Sequence, residues 1–405
     1  MSQAQRWHTV ATLGTAQTLA WASTYYLPAM LAAPMARDLS VATPTVFMAF
    51  SLALIVSALM GPFAGRAIDR WGGRPVLLAS NLVFAIGLAS LAMAGNAVEL
   101  FAAWVIIGIA MGGGLYEAAF SALVRLYGHG ARNAITGITL IAGFASTVSW
   151  PLSTLMEAQM GWRGACFGWA AMHLLIGFPL NWSIARLASG EAVTSKPVAG
   201  APAHQAASQP SANPRLAAVL LSFVFAATWF TSTAMATHLP QLLQASGATL
   251  AVAVGVGALV GPAQVAGRLL EFGFLRRVHP LVSARLAALT HPIGATVLLV
   301  LGAPVAALFA LLHGTGNGIL TIAKGTLPLV LFGPLGYGAR QGFLMMPGRI
   351  CQAFAPALFG LCLEHWGAGA LWVTAALGFM ASAALLLVPK PASETTQPEL
   401  SANPR

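Results

Sequence analysis

Gly65-Arg66-Ala67-Ile68-Asp69-Arg70-Trp71-Gly72-Gly73-Arg74-Pro75 is the stretch on which the fold turns. It crowds basic side chains, one acid and several glycines into a short break between two long apolar runs. Lys and Arg gathered in such a break mark the cytoplasmic side of a membrane-spanning chain. Gly65 permits close approach of a neighbouring helix, Asp69 sits near a helix end, and Arg70 and Arg74 are placed to pair with acids or lipid phosphates. Those chemistries together describe a gate.

Working outward, the rest of the chain has the composition that a bilayer requires. Of 405 residues, 58% are hydrophobic and only 7% charged, with a mean hydropathy of +0.77. A water-soluble domain carries roughly 25% charged residues. One span needs about 20 mostly apolar residues, which leaves room for about a dozen. The formal net charge of +10 suggests a nucleic-acid partner until its placement is considered. Most Lys and Arg fall in one set of alternating loops or at the termini, including Arg125, Arg132, Arg277, Arg340 and Lys390, whereas the opposite loops hold only Arg37 and Arg163. The charge therefore reports topology, with both termini in the cytoplasm of a multi-pass inner-membrane protein and no nucleic acid involved. The 3 cysteines lie in expected spans without metal-ligand spacing, so neither a metal nor a cofactor is expected. The first apolar run continues to about Ala33, longer than a signal-peptide core, and reads as a retained helix.

Spans are expected near 10–33, 45–65, 75–95, 99–125, 134–156 and 164–186, then near 215–240, 250–272, 281–302, 304–331, 341–365 and 368–388. The Ala/Pro/Ser/Gln-rich stretch 187–214 cannot form a core and reads as a cytoplasmic linker. The expected organisation is an N-terminal six-helix bundle (1–186), that linker, a C-terminal six-helix bundle (215–390) and a disordered tail (391–405). Faint internal similarity supports a duplication. Gly61, Pro62, Gly65 and Arg66 end the second span, and Gly261, Pro262, Gly267 and Arg268 recur near the end of the eighth.

The loop at 65–75 resembles the G-x-x-x-D-R-x-G-R-[RK] signature of the major facilitator superfamily, with Gly73 departing from the basic residue usual there. The resemblance covers the whole chain through the six-plus-six layout. It implies an all-α membrane protein of twelve transmembrane helices in two six-helix bundles, with spans one, four, seven and ten lining a central cavity. In the second half the signature is degraded to Glu271 and Arg276-Arg277. A looser resemblance joins Val265-Ala266-Gly267-Arg268 and Gly342-Phe343-Leu344, with Arg349 downstream, to the oxalate–formate antiporter and monocarboxylate transporter branch. Members of that branch set a basic residue in each of these two helices against a carboxylate. Arg268 matches that pattern; Arg349 sits just off its position, and Pro347 departs from it. The fifth span, Gly143 to Pro151, matches the drug-exporter G-x-x-x-G-P signature only in fragments.

Ionisable residues at bilayer depth mark pathways by default. In the tenth span His313, Asn317, Thr321 and Lys324 recur at helical spacing and share one face. The first span carries Gln17, Trp21 and Tyr25 at the same period, the fourth Tyr116 and Glu117 after Gly112-Gly113-Gly114, and the seventh Trp229. These are the candidate substrate-binding residues. Lys324, Arg349 and Arg268 are expected at similar depth as the positive field of an anion site. Arg268 is the weakest member, because Glu271 lies i, i+3 from it. His291 reads as a packed histidine, and Trp150 as an interfacial anchor.

The function expected is secondary active transport of a small solute, an organic anion such as a carboxylate, by alternating access with proton coupling or exchange. The alternative is export of bulky amphipathic or toxic compounds. A membrane enzyme is not expected, since no His-Glu-x-x-His or nucleophile motif is present. The expected partners are the solute, protons where transport is coupled to them, and membrane lipids, around a monomer.

Overall fold

The structure is a computed structural model that describes residues 3–184 and 213–388. The described residues form sixteen α-helices and no strand. In the first half these are α1 (Gln3–Ser23), α2 (Leu27–Asp38), α3 (Thr43–Trp71), α4 (Gly73–Met93), α5 (Ala97–Gly114), α6 (Tyr116–Tyr127), α7 (Arg132–Ala142), α8 (Ala145–Met172) and α9 (Phe178–Trp182). The second half holds α10 (Pro214–Ala245), α11 (Leu250–Gly257), α12 (Val260–Gly273), α13 (Pro280–Leu301), α14 (Ala306–Phe332), α15 (Tyr337–Trp366) and α16 (Leu371–Leu387). Eight stretches are long and apolar enough to cross a bilayer. Ala97–Trp182 contains three crossings and Tyr337–Leu387 two, and the interrupted pair α1–α2 adds one more, which makes twelve. The protein is an all-α membrane protein of the expected class.

The interruptions have local causes. Pro28 has no N–H to donate to the Thr24 carbonyl, so the first span breaks at Thr24–Tyr26 and restarts as α2. In the fourth span Gly112, Gly113 and Gly114 press against α3 and α4, where a Cβ would meet Met60, Ser80 and Phe84. Leu115 is then extended, which separates α5 from α6 and leaves Glu117 in the first turn of a helix, where the dipole favours an anion. Gly161, at φ +69°, turns the chain between the fifth and sixth spans inside α8. By contrast α15 runs continuously through Pro347 and Pro356.

One buried apolar cluster draws nearly all its members from residues 10–184, and two others draw theirs from 217–388. Each half thus has its own core, and the space between them is the site. The expected linker 187–214 lies outside the described residues except for Asn213 and Pro214. Asn213 caps α10 by accepting from the Leu216 N–H at 3.2 Å. The tail 391–405 lies outside them altogether.

Candidate functional site

A cavity of about 410 Å³ opens between the halves, walled by α1, α6, α7 and α8 on one side and by α10, α11, α12, α14 and α15 on the other. Its wall on the first half is aromatic. Trp21 packs on Tyr25 and Tyr116 at ring distances of 5.2 and 4.9 Å, and Tyr116 stacks on Phe120 at 5.3 Å. Trp229, from α10, lies parallel to Trp21 across the cavity at 6.4 Å. Neither indole N–H has a hydrogen-bond partner.

All four polar residues of the α14 stripe, His313, Asn317, Thr321 and Lys324, line this cavity. The Lys324 ammonium stands 4.0 Å over the centre of the Trp229 ring, a cation–π contact. It is buried, and no carboxylate pairs with it among the described residues. Arg268, on α12, also lines the cavity; its Nε and one terminal nitrogen have no partner. The expected neutralisation of Arg268 by Glu271 does not occur. Glu271 instead accepts from Arg132 of the first half at 3.0 Å.

Arg349 departs from expectation in the opposite sense. It is not among the residues lining the cavity: its guanidinium lies 5.3 Å from the centre of the Trp229 ring and donates to Glu117 at 2.6 Å. That ion pair joins α6 to α15, and so joins the two halves. Glu117 lines the cavity while its partner does not. The expected field of three cations, with Arg268 the weakest, is therefore corrected to two lining cations, Lys324 and Arg268, plus Arg349 paired with Glu117. Gln17 is also corrected. It is buried and donates at 2.7 Å to the carbonyl of Gly114, where the broken fourth span leaves a main-chain acceptor. Tyr25 lines the cavity, its hydroxyl accepting from Gln352 at 3.1 Å.

At the basic-loop end the halves are clamped together. Gly65 of α3 and Gly338 of α15 meet backbone to backbone, and a Cβ on either would collide with the other's main chain. Asp69 accepts from the N–H groups of Gly338 and Ala339 at 3.0 and 2.9 Å. These donors belong to the first turn of α15 and lack intrahelical partners, so an acid from the other half caps the helix. Across the interface, Glu271 at the end of the eighth span takes the Arg132 guanidinium from the first residue of α7. Arg132 also donates to the carbonyls of Val278 and Leu275 at 3.1 and 3.3 Å. The two latches share one pattern: an acid four residues after Gly65 or Gly267 meets the start of a helix in the opposite half.

Residues 13–334 match the family described as the Major Facilitator Superfamily. The chain belongs to that superfamily. No curated protein matches it in sequence. Its fold is that of solved superfamily members of low identity. A human organic anion transporter, TETRAN, superposes at a TM-score of 0.69 with 18% identity, over 95% of this chain and 100% of that one. The proton:xylose symporter XylE gives 0.72 at 15% identity over 96% and 97%. The fucose:proton symporter FucP of E. coli gives 0.71 at 15% over 94% and 98%.

Within this superfamily transporter, two expected gate residues turn out not to reach an acid. Arg70 lies over Trp71 at 5.8 Å and Arg74 over Trp182 at 4.5 Å. Among the described residues neither forms an ion pair. The arginine that does engage the loop is Arg125, which donates to the Asp69 carbonyl. Trp150, expected at the interface, lines the cavity, as do Tyr26, Gln264 and Gln341. The polar spacing on α14 was the readable signal; isolated glutamines on other helices offered none.

Proposed function

We propose that this transporter moves a small organic anion, a carboxylate with an aromatic or apolar body, by alternating access. The observation that carries the reading is Lys324: a buried ammonium on the cavity wall that forms no ion pair among the described residues, the one acid of that wall, Glu117, being bound to Arg349. Burying an unpaired charge costs several kcal/mol, and a bound anion offsets that cost directly. The local charge balance agrees. Glu117 is matched by Arg349, so Lys324 and Arg268 leave the cavity positive, with the Trp21 and Trp229 indole N–H groups as further donors. The aromatic walls suit an apolar body. We assign Arg349 a positioning role, holding Glu117 and Trp229, and place the anion between Lys324 and Arg268.

The arginine pattern that resembles the oxalate–formate and monocarboxylate branch fits this reading at Arg268. The human structure named an organic anion transporter shares 18% identity, so the assignment rests on the cavity. With both termini cytoplasmic, the latched end is the inner one, and the cavity faces the far side of the inner membrane. One chain builds the whole cavity, which supports a monomer as the working unit.

The test is a thermal-shift screen of purified protein against formate, oxalate, benzoate and neutral or cationic aromatic analogues, since a solute that binds only the folded state raises the melting point. Carboxylates are expected to stabilise, and Lys324→Gln to abolish the effect. Stabilisation by cationic or neutral amphiphiles instead, unchanged in Lys324→Gln, would replace the anion reading with export of amphipathic compounds.

A further inference from the structure

His291 of α13 and His313 of α14 face each other nitrogen to nitrogen, Nδ1 to Nδ1, at 2.9 Å. Both are buried, at 8% and 4% exposure, with Phe309 against both rings. In the neutral state one ring must donate through its Nδ1–H and the other accept with a bare Nδ1. The donating ring then has a bare Nε2. A proton added there makes an imidazolium that still donates to its neutral neighbour, so the bond survives. A second proton would put N–H on both facing nitrogens and destroy it. The arrangement holds one proton and resists two.

Two further observations separate this pair from a plain interhelical hydrogen bond. The Nε2 of His291 has no partner. Beside both rings is a small space of about 30 Å³ between α10, α13, α14 and α16, rimmed by Thr228, Thr231, Ser232, Thr290 and Asn317. That is room for a water molecule, with the polar partners a buried water needs. Ser232, His313 and Asn317 line the transport cavity as well. A path of polar atoms therefore runs from the cavity to the unpartnered nitrogen.

We infer that His291 and His313 form a one-proton site in the wall of the transport cavity, and that this proton is the coupling ion. The role rests on the transport reading above; the proton site does not. Other charged groups that face the region are few among the described residues. Arg268 comes from α12, Lys324 from further along α14 and Glu117, bound by Arg349, from α6, while α10, α11 and α16 offer no titratable side chain to it. Arg285 on α13 is turned to the carbonyls of Leu385 and Leu386. With Glu117 of the same cavity already paired to Arg349, Lys324 and Arg268 leave the surroundings positive and oppose charging of the pair. An anion bound between them removes that opposition, so anion and proton favour each other's binding, which is the linkage a symporter needs.

The experiment is a potentiometric titration of purified protein in unbuffered detergent between about pH 8 and 3, comparing wild type with the His291→Gln/His313→Gln double variant. Wild type is expected to take up about one proton more than the variant. No difference overturns the site, and a difference near two shows independent rings and overturns the shared proton. Should the double variant fail to fold, histidine-15N spectra of wild type decide: a hydrogen-bonded Nδ1 proton resonance that shifts but persists on acidification supports the site, and one that never shifts removes it. For the role, benzoate affinity should rise on acidification in wild type and lose that rise in the double variant. A pH-independent affinity alongside a one-proton difference would strip the site of its coupling role. Failure of every carboxylate to bind, with the proton difference intact, would sink the anion reading alone.

Discussion

Asp69→Ala should shift the protein away from the state in which the basic-loop ends are clamped. In that state its carboxylate receives the N–H groups of Gly338 and Ala339, at 3.0 and 2.9 Å, across the boundary between halves. Removing a helix cap of this kind costs about 0.5–2 kcal/mol, and the lost charge at a helix N-terminus adds a few tenths more. Neither the cap nor the charge interaction exists once α15 moves away from α3, so the whole loss falls on the clamped state. One to two kcal/mol changes the ratio of the two states by roughly 5- to 30-fold. The measurement is a spin-label distance distribution between Trp71→Cys and Leu335→Cys, both exposed and on opposite sides of the junction. The native cysteines 166, 351 and 362 are replaced by alanine beforehand. Wild type should give a short-distance population that Asp69→Ala depletes in favour of a longer one. Superimposable distributions would refute the view that this carboxylate holds the gate. Asp69→Asn should be intermediate, because one amide oxygen still accepts.

Three other outcomes follow from the same geometry. Glu271→Gln should shift a label pair at His129 and Arg277 in the same sense but less, since Arg132 keeps its two carbonyl partners; an effect larger than that of Asp69→Ala would contradict this ordering. Gly65→Ala should open the junction more strongly than Gly61→Ala, because a Cβ at 65 lands on the Gly338 main chain whereas one at 61 finds ordinary contact at 3.6 Å from Gly342; equal distance distributions for the two would count against a backbone-to-backbone seam. Arg349→Gln should lower the melting temperature by stranding Glu117; breaking a fully buried pair costs about 3–5 kcal/mol, and less is expected here because Glu117 lines the cavity. Lys324→Gln removes an unpaired charge and should leave stability unchanged or raised, and a melting point that falls as far as in Arg349→Gln would show that Lys324 has a structural partner.

What the sequence disclosed follows from how locally each feature is encoded. Twelve crossings are legible because each is a contiguous apolar run, and the α14 stripe is legible because four polar residues recur at one helical period. Ion-pair partners are not local. Glu117 and Arg349 lie 232 positions apart, and Arg132 and Glu271 lie 139 apart. Glu271 was instead matched to Arg268, its neighbour on the same helix, because proximity along the chain is the only distance a sequence displays. Gln17 shows a related limit: its period matches Trp21 and Tyr25, but its partner is a carbonyl freed by a break in a different helix. The role of His313 was half visible. Its place on the polar face is readable, while nothing local points from it to the partner ring, 22 positions back on α13.

The two latches also differ in what mutation can do to them. Asp69 is bonded to main-chain N–H groups, which every residue except proline supplies. Apart from proline, only a change at the acid itself, or a side chain too bulky for the glycine seam, can break that latch. The Glu271 latch needs two side chains, so it can be lost at either Arg132 or Glu271 and re-formed only by a matching change at the other. A short local motif survives in the first half because one residue carries the bond. In the second half the same bond is written jointly in two distant places, and no local motif remains to be read.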